Sequence, residues 1–189
     1  MHLPRRTFLF MRHGQTAYNH EGRFQGGSDI PLNDTGWQQA EDAVHALRDE
    51  TVHRIVASPA QRAVQSAQPF ERASGLDLHI EDDVREFFIG AFEGRLLSDV
   101  QEEYGLKQGD SWLDILPDDA DDWQEFSPRV CRAVREWTER HSDEVILFAS
   151  HGLVFWALTE ALTGRPRMAQ NGQVHRFEPS ATGWKVSAL

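Results

Sequence analysis

The chain is short of cysteine, of long apolar runs and of positive charge, and each shortage removes a class of protein. One cysteine, Cys131, among 189 residues rules out an internal disulfide and fits a reducing compartment. It falls in a helix-like stretch, so it is expected to pack rather than to react. No apolar run approaches the length of a membrane-crossing helix. The opening Met1-His2-Leu3-Pro4-Arg5-Arg6 is basic, but the apolar stretch behind it ends at Arg12 and is too short for a secretory signal; a cytoplasmic protein is expected. A formal net charge of -11 argues against nucleic acid or a membrane surface as partner. Nine histidines are present, yet no His-x-Glu-x-His or similar spacing gathers metal ligands. Neither a metal nor another cofactor is expected. No repeat, linker or low-complexity segment divides the chain, and its length suits one α/β domain. Nothing in it indicates an oligomeric state.

What the chain does have is two short apolar runs that each end in His-Gly. Thr7-Phe8-Leu9-Phe10 leads to Met11-Arg12-His13-Gly14, and Val145-Ile146-Leu147-Phe148-Ala149-Ser150 leads to His151-Gly152. Buried parallel strands read as such runs, and open α/β sheets bind ligands beyond their carboxyl ends. A lone Arg-His pair would read as solvated surface; two histidines in the same setting point to a site. Arg12 is a fixed cation, His13 an imidazole able to act as nucleophile, and Gly14 lets backbone approach an oxyanion. Together they suit a phosphoryl group.

Around these ends, residues 14–34 read as an irregular loop rich in Gly, Asn, Asp and Pro. A helix is expected from Thr35, since Thr35-x-x-Gln38 has capping-box form and Trp37, Ala40, Val44 and Leu47 share a face. Arg54–Ala57 reads as a strand. Ser58-Pro59 opens a helix with Arg62 in its first turn, which Pro69 should kink or end. Leu78–Ile80 is a third strand candidate. Residues from about 95 to 126 are the least regular, with a short helix before Tyr104, and are expected to be an insertion covering the site. Ser127-Pro128 starts a helix carrying Val130, Ala133, Val134 and Trp137. A further helix, Leu153–Leu162, is stopped by Gly164 and Pro166. Val174–Phe177 and Trp184–Val186 alternate as an antiparallel pair at the sheet edge.

Taken in order, Arg12-His13-Gly14-x-Thr16-x-x-Asn19, Arg23-Phe24-Gln25-Gly26 with Asp29-x-Pro31-Leu32, Ser58-Pro59-x-x-Arg62-Ala63, Arg85-Glu86 with Gly90-x-Phe92-Glu93-Gly94, and Ser150-His151-Gly152 resemble the histidine phosphatase superfamily, also called phosphoglycerate mutase-like. Each motif is weak singly; five in sequence are strong. Phe92 stands where that family commonly has tryptophan, which touches only local packing. The resemblance implies a single domain over residues 1–189 with a three-layer α/β/α fold, a mostly parallel central sheet having helices on both faces. It implies a metal-independent phosphomonoester hydrolase that works on a small phosphorylated metabolite through a phosphohistidine. In that scheme His13 is the nucleophile and Glu86, rather than Glu93, the general acid. Arg12, Arg62 and His151 form the phosphate pocket, and Asn19, Gln25, Gly26 and Gly152 add contacts. Singly, Arg62 would read as helix surface, Asn19 as a turn former and His151 as a core histidine.

Phosphatase and mutase share this constellation, so its surroundings must separate them. Between Gly94 and Phe126 only Arg95 and Lys107 face a crowd of acids that includes Asp110, Asp114, Asp118, Asp119, Asp121, Asp122 and Glu125. Such a segment should repel a bisphosphorylated substrate. A phosphatase is therefore expected, acting on a monophosphate with a neutral or partly apolar remainder, with Trp112 and Trp123 as walls. The alternatives are a phosphoglycerate mutase, a catalytically silent phosphate-binding module and, from another class, a metallohydrolase.

Overall fold

Alternation along the strands decides the architecture. Among the described residues, β1 (Phe8–Arg12), β2 (Arg54–Ala57), β3 (Leu78–Ile80), β4 (Ile146–Ser150), β5 (Val174–Ser180) and β6 (Gly183–Ala188) form one sheet in the order β3-β2-β4-β1-β5-β6. The β3-β2, β2-β4 and β4-β1 pairs are parallel, while β5 and β6 add an antiparallel hairpin at the edge beside β1. Phe8, Phe10, Val56, Ile146 and Phe148 point to one face; Leu9, Met11, Ile55, Ala57, Leu147 and Ala149 point to the other. A sheet apolar on both faces must be covered twice.

Helices α2 (Asp34–Ala46) and α3 (Gln61–Ser74) cover the Leu9 face through Ala43, Ala67 and Phe70. The short α4 (Leu97–Glu103) follows in the chain, and α5 (Trp123–Arg140) with α6 (Gly152–Thr163) covers the Phe8 face through Val130, Val134, Val154 and Phe155. The expected three-layer α/β/α fold with a mostly parallel sheet is what the structure has. Each fully buried Phe or Leu contributes roughly 1.5–3 kcal/mol over leaving it in water. The computed structural model describes residues 5–107 and 109–189, so Met1–Pro4 of the basic opening lie outside the described residues. Among those described, no helix is long and apolar enough to cross a membrane.

Several boundaries differ from the sequence reading, each for a local reason. The 14–34 loop contains a short helix, α1 (Ala17–Glu21), because Thr16 and Asn19 cap its start reciprocally and Gly22 ends it at φ 71. Helix α2 begins at Asp34: the Asn33 side chain accepts from Gly36 N at 2.8 Å and is the cap, which puts Thr35 inside the first turn. Helix α3 runs through Pro69 to Ser74. Pro69 and Phe70 are buried with Arg62, Ala63, Ser66 and Ala67, and that packing offsets the hydrogen bond the proline removes. Helix α5 starts at Trp123, four residues before Ser127, since Asp122 caps it by accepting from Gln124 N at 2.8 Å. Gly164 ends α6 at φ 68, as its position predicts. Cys131 is buried in α5, where burial pushes its thiol up to about 11 and leaves it an unreactive packing group.

Candidate active site

Each motif residue sits just past the carboxyl end of a parallel strand or on the segment that follows. Arg12 is the last residue of β1, and His13 extends the ladder by donating its N–H to Ser150 O at 2.8 Å. His151 follows β4 and begins α6. The two rings therefore meet, with centroids 5.3 Å apart at 63°. Arg62 comes from the first turn of α3 after β2, and Glu86 from the segment after β3 and the one-turn helix Asp82–Val84.

His13 is buried, and its Nδ1 lies 2.7 Å from Gly14 O. A carbonyl only accepts, so Nδ1 carries the proton and Nε2 is left with a lone pair. Burial first, then Arg62 and Arg12, hold the His13 pKa well below its ordinary value. His151 is held down in the same way, by burial and then by Arg62, His13 and Arg12. Both rings are neutral at pH 7. Gly14 does not serve the role expected of it: its N–H donates to Ser66 Oγ at 2.9 Å, and a Cβ there would overlap the Gly36 backbone. The glycine allows α2 to approach the loop, not an anion.

The two guanidiniums are anchored by backbone. Arg62 donates to Ser28 O at 2.7 Å and Gly26 O at 2.8 Å; Arg12 donates to Ala169 O at 2.6 Å. Glu93 holds the Gly26 loop through Gly27 N and Ser28 Oγ, so it reaches the site through Arg62. Glu86 accepts from Phe87 N at 3.0 Å and from Leu153 N at 3.4 Å. Burial raises its pKa from the ordinary carboxylate value, and these N–H groups with Arg62 and Arg12 oppose part of that rise. Phe87 supplies the buried wall expected beside it, but Phe88 is 40% exposed and lines the second opening with Glu86 instead of burying it.

Arg12 Nε, Arg62 Nε, Gln25 Nε2 and His151 Nδ1 are buried without a protein acceptor among the described residues. Buried donors are almost always paired, and an unmet one costs about 1–3 kcal/mol. Arg12, Gln25 and Arg62 line one cleft of about 290 Å³ with His13, Asn19, Gly26, Glu86 and Gly152; His151 lies beside it, against His13. Its outer wall is apolar, made by Phe24, Leu97, Trp112 and Met168. A second opening of about 430 Å³ shares Gly26, Arg62 and Glu86 with the first but reaches neither histidine. A Cβ on Gly152 would sit in ordinary contact with the Arg12 guanidinium at 3.5 Å and 3.1 Å from the end of the Met168 side chain, so the glycine leaves the backbone beside Arg12 open.

Two expectations about the surroundings fail. Trp123 is not in the wall: it packs on Phe87 and Phe126 and donates to Glu160 at 3.3 Å. None of the acids between Asp110 and Glu125 lines the cleft. Asp119 accepts from Ala91 N and Asp121 from Phe88 N, each at 3.1 Å, and Asp110 from Lys107 N at 2.7 Å. These three accept from backbone donors outside the cleft lining, so the repulsive wall expected of this segment is not part of the cleft. The charges that line the cleft are Arg12, Arg23, Arg62 and Glu86. Arg23 was missed as a cleft residue; its guanidinium is held by Glu21 and by Gly94 O at 2.8 Å. Ser58, Ser66 and Asn171 were also missed as support, and of these only Ser58 had a signal, its place between strand and helix. Phe92, in place of tryptophan, is buried against Phe24 and Tyr104. Among the described residues no three His, Cys, Asp or Glu side chains are grouped to hold a metal ion.

Two anchored guanidiniums, two neutral imidazoles and a carboxyl group come together at the carboxyl edge of the parallel strands of an α/β protein. The chain belongs to the histidine phosphatase superfamily (branch 1), whose model matches residues 8–189. A relative named "Probable phosphoglycerate mutase GpmB" from Enterobacter sp. (strain 638) is 30% identical over 186 residues, which cover 94% of this chain and 86% of the relative. The structure of the alpha-ribazole phosphatase from Shigella flexneri superposes with a TM-score of 0.81 at 25% identity, covering 97% of this chain and 96% of that one. A phosphoglycerate mutase from Bacillus anthracis str. Sterne shares the fold with a TM-score of 0.80 at 24% identity, over 97% and 92% of the two chains.

Proposed function

We propose that this protein is a metal-independent phosphomonoester hydrolase that cleaves a small phosphorylated metabolite through a phosphohistidine at His13. The observation that carries the reading is the set of four buried side-chain nitrogens at the site, of Arg12, Arg62, Gln25 and His151, left without a protein partner among the described residues beside one neutral imidazole. A phosphoryl group offers them the equatorial oxygens they lack, while Nε2 of His13 keeps its lone pair for phosphorus. Attack forms the N–P bond and breaks the P–O bond to the alcohol; Glu86, protonated, gives its proton to the departing alkoxide. Water then displaces the histidine, returning a proton to Glu86 and releasing inorganic phosphate. Arg12 and Arg62 supply the fixed positive charge that a metal supplies elsewhere.

The apolar wall of Phe24, Leu97, Trp112 and Met168 favours a leaving group with a neutral or partly apolar body. A phosphoglycerate mutase is the second reading, favoured by the relative's name at 30% identity and by Arg23 in the cleft wall. One experiment separates them: a phosphomonoester panel with mutase activity assayed alongside, in the presence of a chelator, with acid- and base-quenched labelling of His13. Hydrolysis that survives the chelator and an acid-labile label on His13 are expected. Transfer between phosphoglycerate positions faster than hydrolysis would reverse the ranking, and a site that binds phosphate without turnover would leave a silent module.

A further inference from the structure

Residues 170–173 form a turn with Gln173 N donating to Gln170 O at 3.2 Å and Gly172 at φ 73. A positive φ at the third position is what glycine permits, and the turn projects the preceding Asn171 under the His13 loop. The Asn171 amide N–H2 reaches His13 O at 3.1 Å, Asn19 Oδ1 at 3.2 Å and Gly14 O at 3.4 Å. Gly172 N donates to the carbonyls of Arg12 and His13, each at 3.1 Å. The backbone of the nucleophile is thus tied to a turn some 158 residues further along the chain.

Asn19 lines the cleft, and which end of its carboxamide faces inward depends on what its other end meets. Thr16 Oγ has one proton, and Gln25 Oε1 is the closer acceptor for it. The donors left for Asn19 Oδ1 are then Thr16 N at 3.2 Å and the Asn171 amide. Turning Asn19 over would set its own N–H2 against both. Its Nδ2 makes no hydrogen bond to the protein among the described residues and is the end left for the cleft that Asn19 lines.

We propose that Asn171 is a positioning residue: it locks Asn19 with the amide donor turned toward the phosphate and holds the carbonyl of His13 in the same grip. This rests on the reading of Asn19 as a phosphate contact and adds the residue through which that contact is oriented. The test is a double-mutant cycle read as inhibition by inorganic phosphate, with Asn19→Ala, Asn171→Ala and the pair, each checked by thermal melting. Each single change is expected to weaken phosphate about tenfold, the size of one hydrogen bond to an anion, and the pair no more than Asn19→Ala alone. Losses that multiply, or phosphate inhibition unchanged in either single variant, would overturn the proposal. Asn171→Asp sharpens it, because the side chain keeps its size while an acceptor replaces the donor. At pH 7 it is expected to lose more than Asn171→Ala, and an equal or smaller loss counts against the lock. Should Asn171→Ala not fold, Asn171→Ser, too short to reach Asn19, takes its place in the cycle. Acid-labile labelling of His13 in the same proteins reports separately on the phosphohistidine.

Discussion

Ser58 Oγ lies 2.7 Å from His151 Nε2, so the direction of that one hydrogen bond sets which nitrogen of the second imidazole carries its proton. Ser58 Oγ also lies 3.4 Å from Ala60 N, a weak donor to it, so the hydroxyl proton is free to point at His151. When the hydroxyl donates, Nε2 accepts and the proton sits on Nδ1, the buried atom with no protein partner among the described residues. A donor is what a phosphate oxygen needs. Ser58→Ala should let the ring exchange tautomers and lower kcat/KM about tenfold, the worth of one hydrogen bond of roughly 1–1.5 kcal/mol. The melting temperature should barely move. A rate equal to that of the parent protein would show that His151 keeps its tautomer by other means.

The raised pKa of Glu86 predicts a dependence on leaving group. A carboxyl whose pKa lies above its ordinary value stays protonated to higher pH and loses its proton as pH climbs. An alkyl phosphate, whose alkoxide must be protonated to leave, should therefore be cleaved more slowly as pH rises. p-Nitrophenyl phosphate, whose phenolate leaves unaided, should show a flatter profile. Glu86→Gln should cost about a hundredfold with the alkyl ester and under tenfold with the nitrophenyl ester. Parallel pH profiles for the two substrates would remove Glu86 as the acid. His13 should add no acidic limb near neutrality, because burial and the two arginines keep it unprotonated there.

Much of this was legible because strand ends leave strong marks. The apolar runs before His13 and His151 are β1 and β4, neighbours in register from Leu9 beside Leu147 to Arg12 beside Ser150, and the two histidines follow the last pair. Arg62 was readable from Ser58-Pro59 after β2. What did not show was anything decided by an arrangement between distant segments. Asn171 stands in an Asn-Gly pair, a general turn signal, and nothing local says that its amide meets Asn19. The acids before Glu125 counted as a repulsive charge while their partners, the backbone N–H groups of residues 88 and 91 among them, were invisible. Gly14 seemed to make room for a ligand, when the crowding group is Gly36.

That last contact gives a stability prediction. A Cβ on Gly36 would overlap Gln15 O, which is backbone and has no side-chain freedom to give way. Gly36→Ala should therefore destabilise the fold by about 1–3 kcal/mol, despite alanine's better helix propensity. Because Gln15 lies two residues from His13, the displacement should also lower activity in the fraction that remains folded. A urea midpoint at or above that of the parent protein would show that α2 can move away at little cost.

Three buried histidines should make the fold sensitive to acid. His13 and His151 are held well below the ordinary value, and His175, buried against Phe155 with ring centroids at 4.4 Å, is held at about 4 by burial and by Arg167. The unfolded chain takes up these protons near the ordinary value of about 6.5 and the folded one does not. Below that pH the unfolded state binds more protons, so stability rises with pH and falls as the solution is acidified. For His175 the loss begins near 6.5 and levels off below about 4; at pH 5 it amounts to about 2 kcal/mol. His175→Leu removes the titrating group, so the drop in the urea-unfolding free energy between pH 7 and pH 5 should shrink by about that amount relative to the parent. The pH 7 stability of the variant itself is set by how leucine packs on Phe155, which is why the comparison is made on the slope. An unchanged slope would mean that His175 takes up its proton in the folded protein as readily as in the unfolded chain.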